Sequence, residues 1–416
     1  MYQAPRGTAD ILPEDQRYWS YVASVTAAAA HTSGYSRIDT PTFEDTGLFT
    51  RTVGEETDIV SKEMYSFVDR GGQEVTLRPE GTAAVCRAYI EHGLHNQAQP
   101  VRLYYLASMF RYDRPQAGRY RQFHQFGAEA IGDAAAAVDL EMIQLAMSML
   151  EGLGLRHMTL VLNNIGDAAG RPKYIEALRE HFRPHLADLG PDDRRRFESN
   201  PLRLLDSKEL AREAFVGDAP KSTDYLGAEA RAHWEELVGY LDALGIPYRL
   251  DHKLVRGLDY YTRTVFEVHP DEGGAQSAVC AGGRYDGLIE QLGGAPTPGI
   301  GFAAGIERII ANLRSQAVAV PDVGPSAAVI AYTGAAAKTA AVRLATELRD
   351  GGTAAIVAPE RSLKAQMRYA SSIGAPTVLI LGEAELAKGV VTVRDMATAK
   401  QREVRRADVG TALAGP

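Results

Sequence analysis

Two alternating stretches joined by a short polar loop constrain the fold more than any other feature of the chain. From Val101 the sequence reads VRLYYLASMFRYDRPQAGRYRQFHQFGAEAIG. The first half places Val101, Leu103, Tyr105, Ala107, Met109 and Arg111 on one face of a strand. The second half alternates too, with Arg121, Phe123, Gln125 and Glu129 on one face. Between them lies YDRPQAGRY, with Pro115 and Gly118 as its turn residues. An antiparallel pairing of these strands brings Arg111, Phe123, Gln125 and Glu129 onto a common surface, with Arg114 and Arg119 at its rim. Such a surface offers a stacking ring, planar cations for phosphate or carboxylate, and a carboxylate for a cationic or hydrogen-bonding ligand. On this stretch alone, an ordinary surface hairpin stays open as the alternative.

The chain has 416 residues, enough for two or three domains with buried cores. Its formal net charge of −8 argues against a protein that is basic throughout. A local basic face can still bind phosphates, with salt-dependent affinity. Two cysteines, Cys86 and Cys280, stand far apart, which argues against a disulfide framework and for a reducing compartment. The segment MYQAPRGTADILPEDQ has no apolar core of signal-peptide length, and no apolar run is long enough to span a bilayer. The expected location is the cytoplasm, with no membrane partner.

Pro13, followed by Glu14 and Asp15, predicts a helix start, and Gly34 its end. Tyr18, Val22, Val25 and Ala29 recur between them at helical spacing. SRIDTPTFED reads as a strand whose Pro41 confines it to a sheet edge or a subunit contact. EMYSFVDRGGQEVTLRPEGTAAVCRAYIEHG reads as a hairpin turning at Arg70-Gly71-Gly72, a strand ending at Leu77 and a helix from about Thr82. Arg78, Glu80 and Thr82 then sit at a strand-to-helix turn, a common place for ligand groups, although a helix cap also explains Thr82.

Asp139 to Leu150 is an apolar-periodic helix. From about Asn163 to Tyr240 the chain turns helical and charged, an inserted module in which Arg194, Arg195 and Arg196 read as a solvated face rather than a polyanion grip. Strand sequence returns at Tyr248. Arg256 and Gly257 make a turn, after which Tyr261, Arg263, Val265 and Glu267 alternate. Gly282 and Gly283 permit close approach of backbone to a ligand. Gly299, Gly301 and Gly305 are not a dinucleotide fingerprint, because the third glycine is one residue late and no βαβ unit precedes it. Ser315 to Ser326 is a Pro/Gly/Val linker. Beyond it, apolar strands alternate with helices, the pattern of a small, partly parallel sheet covered on both faces, from about residue 325 to 416.

Taken together, these segments resemble a histidyl-tRNA synthetase, a class II aminoacyl-tRNA synthetase, from RGTADILPED almost to the C-terminus. The first long helix and the strand near Pro41 are similar to class motif 1, which forms a homodimer interface. FRYDRPQAGRYRQFHQFGAE is similar to motif 2 and GIGFAAGIERI to motif 3. RGLDYYTRTVFEV and AGGRYDGL are more specific, resembling the two signature blocks of histidyl enzymes. The resemblance implies an α+β catalytic domain over residues 1–320 with an antiparallel sheet. It also implies a helical insertion at about 165–240 and an anticodon-binding α/β domain over 325–416.

The activity implied is attack of the L-histidine carboxylate on the α-phosphate of ATP, then transfer of the histidyl group to the 3′ end of histidine tRNA. The resemblance casts Arg111 as the clamp on α-phosphate and carboxylate, and Arg308 as the γ-phosphate holder. Arg119 would hold the β/γ end, Phe123 would stack on adenine, and Arg256 would place an extra cation at the α-phosphate. Mg²⁺ would bridge the β- and γ-phosphates, with no separate protein metal site. Glu80, Thr82 and Gln125 resemble the ammonium-binding set. Glu129 and Tyr261 would reach the imidazole, with Tyr260 and Tyr285 completing the histidine pocket. The ten histidines show no metal-ligand spacing, and His92 with His95 reads as solvated helix.

On the second domain, Lys364 and Arg368 lie one helical turn apart on SLKAQMRYASSIG and are the expected tRNA-facing pair. Two synthetase-like readings without catalysis stand beside the enzyme: a regulatory subunit of ATP phosphoribosyltransferase in histidine biosynthesis, and an uncharged-tRNA sensor. Paralogues of the first kind typically lack an intact RGLDYY block and the anticodon domain, and this sequence carries both patterns.

Overall fold

The computed structural model describes the chain except residues 1, 55–56, 58, 115–117, 208, 272–277, 322–326 and 414–416. The turn expected at Pro115 and the end of the expected linker, 322–326, fall outside the described residues. The chain divides into two compact units, Met1–Pro321 and Asp322–Pro416.

In the first unit, α1 (Gln16–Thr32) leads into β1 (Ser36–Arg37), β2 (Phe43–Asp45) and α2 (Thr46–Val53). A hairpin of β3 (Tyr65–Val68) and β4 (Glu74–Leu77) precedes α3 (Thr82–Glu91). Then come the long strands β5 (Val101–Phe110) and β6 (Gln122–Ile131), α4 (Ala136–Gly152) and β7 (Met158–Asn164). The chain continues through α5 (Arg171–Phe182), α6 (Pro191–Ser199), α7 (Ala214–Gly217) and α8 (Ala228–Ala243), and strand structure resumes at β8 (Tyr248–Leu250). Strands β9 (Thr262–Pro270) and β10 (Cys280–Arg284), the short α9 (Leu288–Gln291), β11 (Gly299–Gly305) and α10 (Ile306–Ser315) complete it.

Eight strands form one sheet in the order β1-β5-β6-β11-β10-β9-β7-β8, antiparallel except for the parallel pairs at its two edges. The β5–β6 hairpin pairs without a slip from Val101↔Ile131 to Phe110↔Gln122, so period-2 alternation fixes what each face carries. Phe126, Ala128 and Ala130 enter the core that includes Val22 of α1, Met142, Ala146 and Met149 of α4, and Ile309 and Leu313 of α10. Burying each large apolar side chain of that core stabilises the unit by about 1.5–3 kcal/mol. Residues of the other parity, Phe123, Gln125 and Glu129, face the opposite side.

Three local expectations give way to tertiary contacts. Helix α1 starts at Gln16 rather than at Pro13: Pro13 closes a turn, its carbonyl accepting from Gln16 N–H at 3.2 Å, and the Asp15 carboxylate is drawn to Arg314 on α10. The segment around Pro41 is two strands, not one, because Pro41 has no N–H to give a ladder. β1 lies at an edge of the large sheet and β2 at an edge of a three-stranded sheet, β2-β4-β3. The alternation through Tyr261 and Glu267 breaks at Arg263, which takes a left-handed φ of 49° beside a register shift in β9–β10. Its side chain goes to Glu229 at 2.7 Å instead of joining the face of Tyr261.

The second unit builds a five-stranded sheet, β13-β12-β14-β15-β16, parallel in its first three strands. It comprises β12 (Ala328–Tyr332), α11 (Ala335–Asp350), β13 (Ala355–Val357), α12 (Leu363–Ser372), β14 (Thr377–Leu381), α13 (Glu383–Lys388), β15 (Val390–Asp395), β16 (Gln401–Arg405) and α14 (Val409–Leu413). Apolar clusters cover both of its faces. The buried Gln366 pins α12 by exchanging hydrogen bonds of 2.9 Å with the backbone of Tyr332. That anchor turns Lys364 and Arg368 outward, and both are exposed. Among the described residues no helix is long and apolar enough to cross a membrane.

The first unit buries a carboxyl group in its sheet. Glu129 is 0 % exposed and accepts hydrogen bonds from the Thr82 hydroxyl at 2.8 Å and the Tyr285 hydroxyl at 2.7 Å. Gly301 is the residue paired with it on β11, and a Cβ there would lie 1.7 Å from its carboxyl oxygen and 2.7 Å from the Ala128 carbonyl. Gly127 serves the neighbouring Tyr105 in the same way, a Cβ there falling 2.2 Å from the ring. Gly301→Ala therefore lowers stability by about 2 kcal/mol or more. Gly239→Ala, on the open face of α8 with nothing within 4 Å, raises it by about 0.5–1 kcal/mol. Equal denaturation midpoints for the two variants would contradict this packing.

Burial pushes the Glu129 carboxyl up to about 8, the Tyr285 and Thr82 hydrogen bonds only partly opposing it. A carboxyl in an unfolded chain ionises near pH 4.3. Between these values the folded chain holds the extra proton, so the contribution is full at low pH and is lost as pH rises through about 8. The thermal midpoint of the native protein should fall more between pH 5 and pH 8.5 than that of Glu129→Gln, by about 3 °C or more. Parallel curves would show that Glu129 carries no such proton.

Candidate active site

The face of the sheet opposite α1 and α4 opens into a cavity of about 1140 Å³. That exceeds the usual range for a single small ligand and leaves space for two. Ten of the residues expected from the sequence line it: Glu80, Thr82, Arg111, Arg119, Phe123, Gln125, Arg256, Tyr260, Tyr261 and Arg308. Glu129 and Tyr285 are not on its wall; they sit behind Thr82, whose hydroxyl points to Glu129. Lys364 and Arg368 belong to the second unit.

Part of the cavity wall is cationic. Arg111 leaves β5 with its Nε donating to the Pro79 carbonyl at 2.8 Å and its guanidinium 5.3 Å above the Phe123 ring. Arg308, in the first turn of α10, donates to the Ala278 carbonyl at 2.6 Å. Arg119 pairs with Asp113 at 3.0 Å. Burial lowers the Arg308 pKa first, and repulsion from Arg119, Arg111 and Arg256 lowers it further. Burial also lowers Arg111, against the pull of Glu63 and Glu80. Four cations at mutual electrostatic cost are what a polyanionic ligand relieves.

Arg256 is ion-paired with Glu267, which also accepts from His269 Nε2 at 2.8 Å. Burial opposes the Arg256 charge, but Glu267, Tyr261 and Tyr260 outweigh it and raise the pKa. The same pair, with His269, holds the Glu267 carboxyl below its ordinary range despite burial. Sequence reasoning placed Glu267 on this strand without giving it a role; its matching parity with Tyr261 in the signature block was the available signal. It also missed Glu307 on the cavity wall, which accepts from the backbone N–H of His124 at 3.0 Å and from its Nδ1 at 2.8 Å.

Another part of the wall is polar, built from Glu80, Thr82, Gln125, Tyr260 and Tyr261. The Glu80 carboxylate caps α3, accepting from the N–H groups of Thr82 at 2.7 Å and Ala83 at 2.9 Å. Burial raises its pKa against those two bonds. The capping group is thus Glu80, and Thr82 spends its hydroxyl on Glu129. Tyr260 reaches Glu80 at 3.4 Å and packs against Tyr261, ring centroids 4.7 Å apart. Three buried polar atoms of cavity-lining residues, Tyr105 Oη, Gln125 Oε1 and Arg256 Nε, have no partner among the described residues. Orphans of this kind are costly unless a ligand or water meets them.

Other expected ligand groups do structural work. Arg78 is buried and spends its guanidinium on the carbonyls of Ser108, Thr40 and Pro41 at 2.8, 2.8 and 3.1 Å, tying the edge segment to β5. Gly282 and Gly283 admit neighbouring backbone rather than a ligand: Cβ atoms there would fall 2.3 Å from the Gly301 carbonyl and 2.5 Å from that of Thr264. Arg194 and Arg195 fit a solvated face, bonded to local carbonyls and to Asp192. Arg196 departs from it, lining the cavity and pairing with the buried Asp193 at 3.0 Å.

Comparison with known proteins agrees along nearly the whole chain. Residues 7–309 match the family described as histidyl-tRNA synthetase, and residues 327–415 match an anticodon binding domain. A histidine–tRNA ligase of Dehalococcoides mccartyi is 54% identical over 406 residues, covering 97% of each chain. One from Thermosynechococcus vestitus is 48% identical, covering 96% of this chain and 93% of its own. Among solved structures, an apo histidyl-tRNA synthetase of S. aureus superposes with a TM-score of 0.84 at 40% identity, covering 99% of each chain. A Bacillus halodurans protein titled ATP phosphoribosyltransferase regulatory subunit/histidyl-tRNA synthetase shares the fold, with a TM-score of 0.66 at 24% identity over 92% of this chain and 97% of its own. The class II catalytic fold, the RGLDYYTRTVFEV block on the cavity wall and these matches lead to one conclusion: the chain belongs to the histidyl-tRNA synthetase family.

Proposed function

We propose that this chain is a histidine–tRNA ligase that activates L-histidine with ATP in the cavity of its first unit and passes the histidyl group to the 3′ end of histidine tRNA. The observation that carries this reading is one cavity whose wall combines Arg111, Arg119, Arg256 and Arg308 with the polar groups of Glu80, Thr82, Gln125, Tyr260 and Tyr261. The arginines suit a triphosphate and the polar groups an amino acid with an imidazole. The 54% identity to a histidine–tRNA ligase over 97% of the chain supports it. That match, with the anticodon-domain match at residues 327–415, favours the ligase over a regulatory subunit.

In the reaction, ATP lies with adenine on Phe123, its α-phosphate between Arg111 and Arg256, and its β- and γ-phosphates toward Arg119 and Arg308; Mg²⁺ carried by those phosphates would offset their charge. Glu80, Thr82 and Gln125 receive the ammonium group, and Gln125 Oε1 is a buried acceptor without a partner among the described residues. Tyr261 and, behind Thr82, Glu129 with Tyr285 read the ring nitrogens. The carboxylate oxygen attacks the α-phosphorus, the bond to the β-phosphate oxygen breaks, and pyrophosphate leaves with the bond electrons. Arg111 and Arg256 neutralise charge that peaks in the transition state, while positioning supplies the rest of the acceleration. The terminal ribose hydroxyl of the tRNA then attacks the acyl carbon and releases AMP.

The protein acts as a cytoplasmic homodimer on this reading, and the exposed Phe43 and Phe67 of the three-stranded sheet supply apolar surface for a second subunit. On this reading the second unit binds the tRNA, with Lys364 and Arg368 on phosphates.

ATP–pyrophosphate exchange measured with each of the twenty amino acids should respond to histidine alone. Arg256→Ala should stay folded and bind ATP but lose ~10²–10⁴-fold in that exchange; activity within threefold of the parent would remove Arg256 from the reaction. Substituting Lys364 and Arg368 together by Ala should leave exchange intact and make the log–log salt dependence of tRNA affinity shallower by ~2. An unchanged slope would place the phosphate contacts elsewhere.

A further inference from the structure

The loop that presents Arg256, Tyr260 and Tyr261 runs from the end of β8 at Leu250 to the start of β9 at Thr262, with no strand or α-helix between. Gly257, next to Arg256, adds backbone freedom to it. Two arginines from the helical segment between β7 and β8 remove that freedom. Arg203 donates to the Gly257 carbonyl at 3.2 Å and to the Asp259 carboxylate at 3.0 Å. Arg171, at the start of α5, donates to the Tyr261 carbonyl at 3.1 Å. Asn200 adds a bond to Asp259 at 3.3 Å, and the Asp259 N–H donates to the Val53 carbonyl at 3.2 Å. Asp259 thereby ties the loop to the helical segment and to the end of α2. A small cavity lined by Arg171, Asn200, Arg203, Arg256 and Asp259 adjoins the loop, and Arg203 also reaches the wall of the main cavity, so the clamp and Arg256 are immediate neighbours.

We propose that Arg171 and Arg203 are positioning residues for histidine activation, holding by its carbonyls the backbone that aims Arg256 at the α-phosphate. The proposal rests on the ligase reading above. Glu267 fixes only the tip of Arg256; the clamp fixes its base, and through Asp259 it makes the helical segment part of the activation machinery. A displacement of about 1 Å at a reacting group can cost ~10²-fold. Since Arg256 acts on charge developed in the transition state, the loss belongs in kcat rather than in KM.

The test is histidine-dependent ATP–pyrophosphate exchange by the full-length protein without tRNA, which removes any contact of Arg203 with nucleic acid from the result. Arg203→Met should lower kcat ~10–100-fold while KM for ATP and for histidine stays within about threefold. Arg203→Lys, which keeps the charge and one donor, should recover most of it, and Asp259→Asn should fall between. In an Arg256→Ala background, Arg203→Met should cost almost nothing further, because the group it aims is gone. A kcat within twofold of the parent would overturn the proposal. So would a full additional loss in the Arg256→Ala background, or a rise in both KM values at constant kcat. Absence of histidine-dependent exchange in the unsubstituted protein would instead overturn the ligase reading itself.

Discussion

A carboxyl group buried without a cation governs the architecture of the first unit. Glu129 takes part in none of the ion pairs among the described residues, and two hydroxyls share its oxygens. Such a group is tolerated only where every neighbour is fixed. Gly301 clears the space above it, Tyr285 arrives from the second signature block, and Thr82 arrives on a helix start that Glu80 caps. The antiparallel sheet is what brings these four distant segments into register. In the proposed reaction this arrangement also sets selectivity, since a floor of buried polar groups rejects amino acids that leave those groups unpaired, by ~10⁴–10⁵.

The arginine-lined wall of the cavity solves the opposite problem, a surplus of positive charge. Arg111, Arg119, Arg256 and Arg308 are held close enough to disfavour one another, and each has a local partner: Pro79, Asp113, Glu267 and Ala278. Two of those partners are carboxylates that phosphate can replace or join. In the proposed reaction the cations are therefore oriented before ATP arrives, and little reorganisation is left for the transition state. Arg256 is distinctive because its base is anchored by another part of the chain, through Arg203 and Arg171.

Much of this was legible in the sequence, and where it was not the reasons are physical. Strict alternation announced the β5–β6 hairpin, and parity placed Phe123, Gln125 and Glu129 on one face. The class II fold and the family came from the resemblance of whole stretches, RGLDYYTRTVFEV and AGGRYDGL above all, to known motifs. Position in a turn, by contrast, does not tell whether an arginine meets a ligand or a carbonyl; at Arg78 it meets carbonyls. A glycine in a strand signals close approach without naming what approaches, as at Gly282, where it is a neighbouring strand. The break at Arg263 depends on a register shift that no local pattern carries. The bond between Arg203 and Asp259 joins residues 56 apart and exists only once the helical segment has folded back on the loop. Glu129 was read as a wall residue, and only packing shows it one layer behind Thr82.

The central claim is that one cavity holds histidine and ATP at opposite ends, the imidazole toward Glu129 and the phosphates among the arginines. A crystal structure with a non-hydrolysable histidyl-adenylate analogue tests it most directly. The account predicts adenine on Phe123, linking-group oxygens within hydrogen-bond distance of Arg111 and Arg256, and an imidazole bonded to Tyr261 with Glu129 directly or through one shared hydroxyl. An analogue seated with its ring away from Glu129 and Tyr261, or with its phosphate-like group away from Arg256, would contradict it.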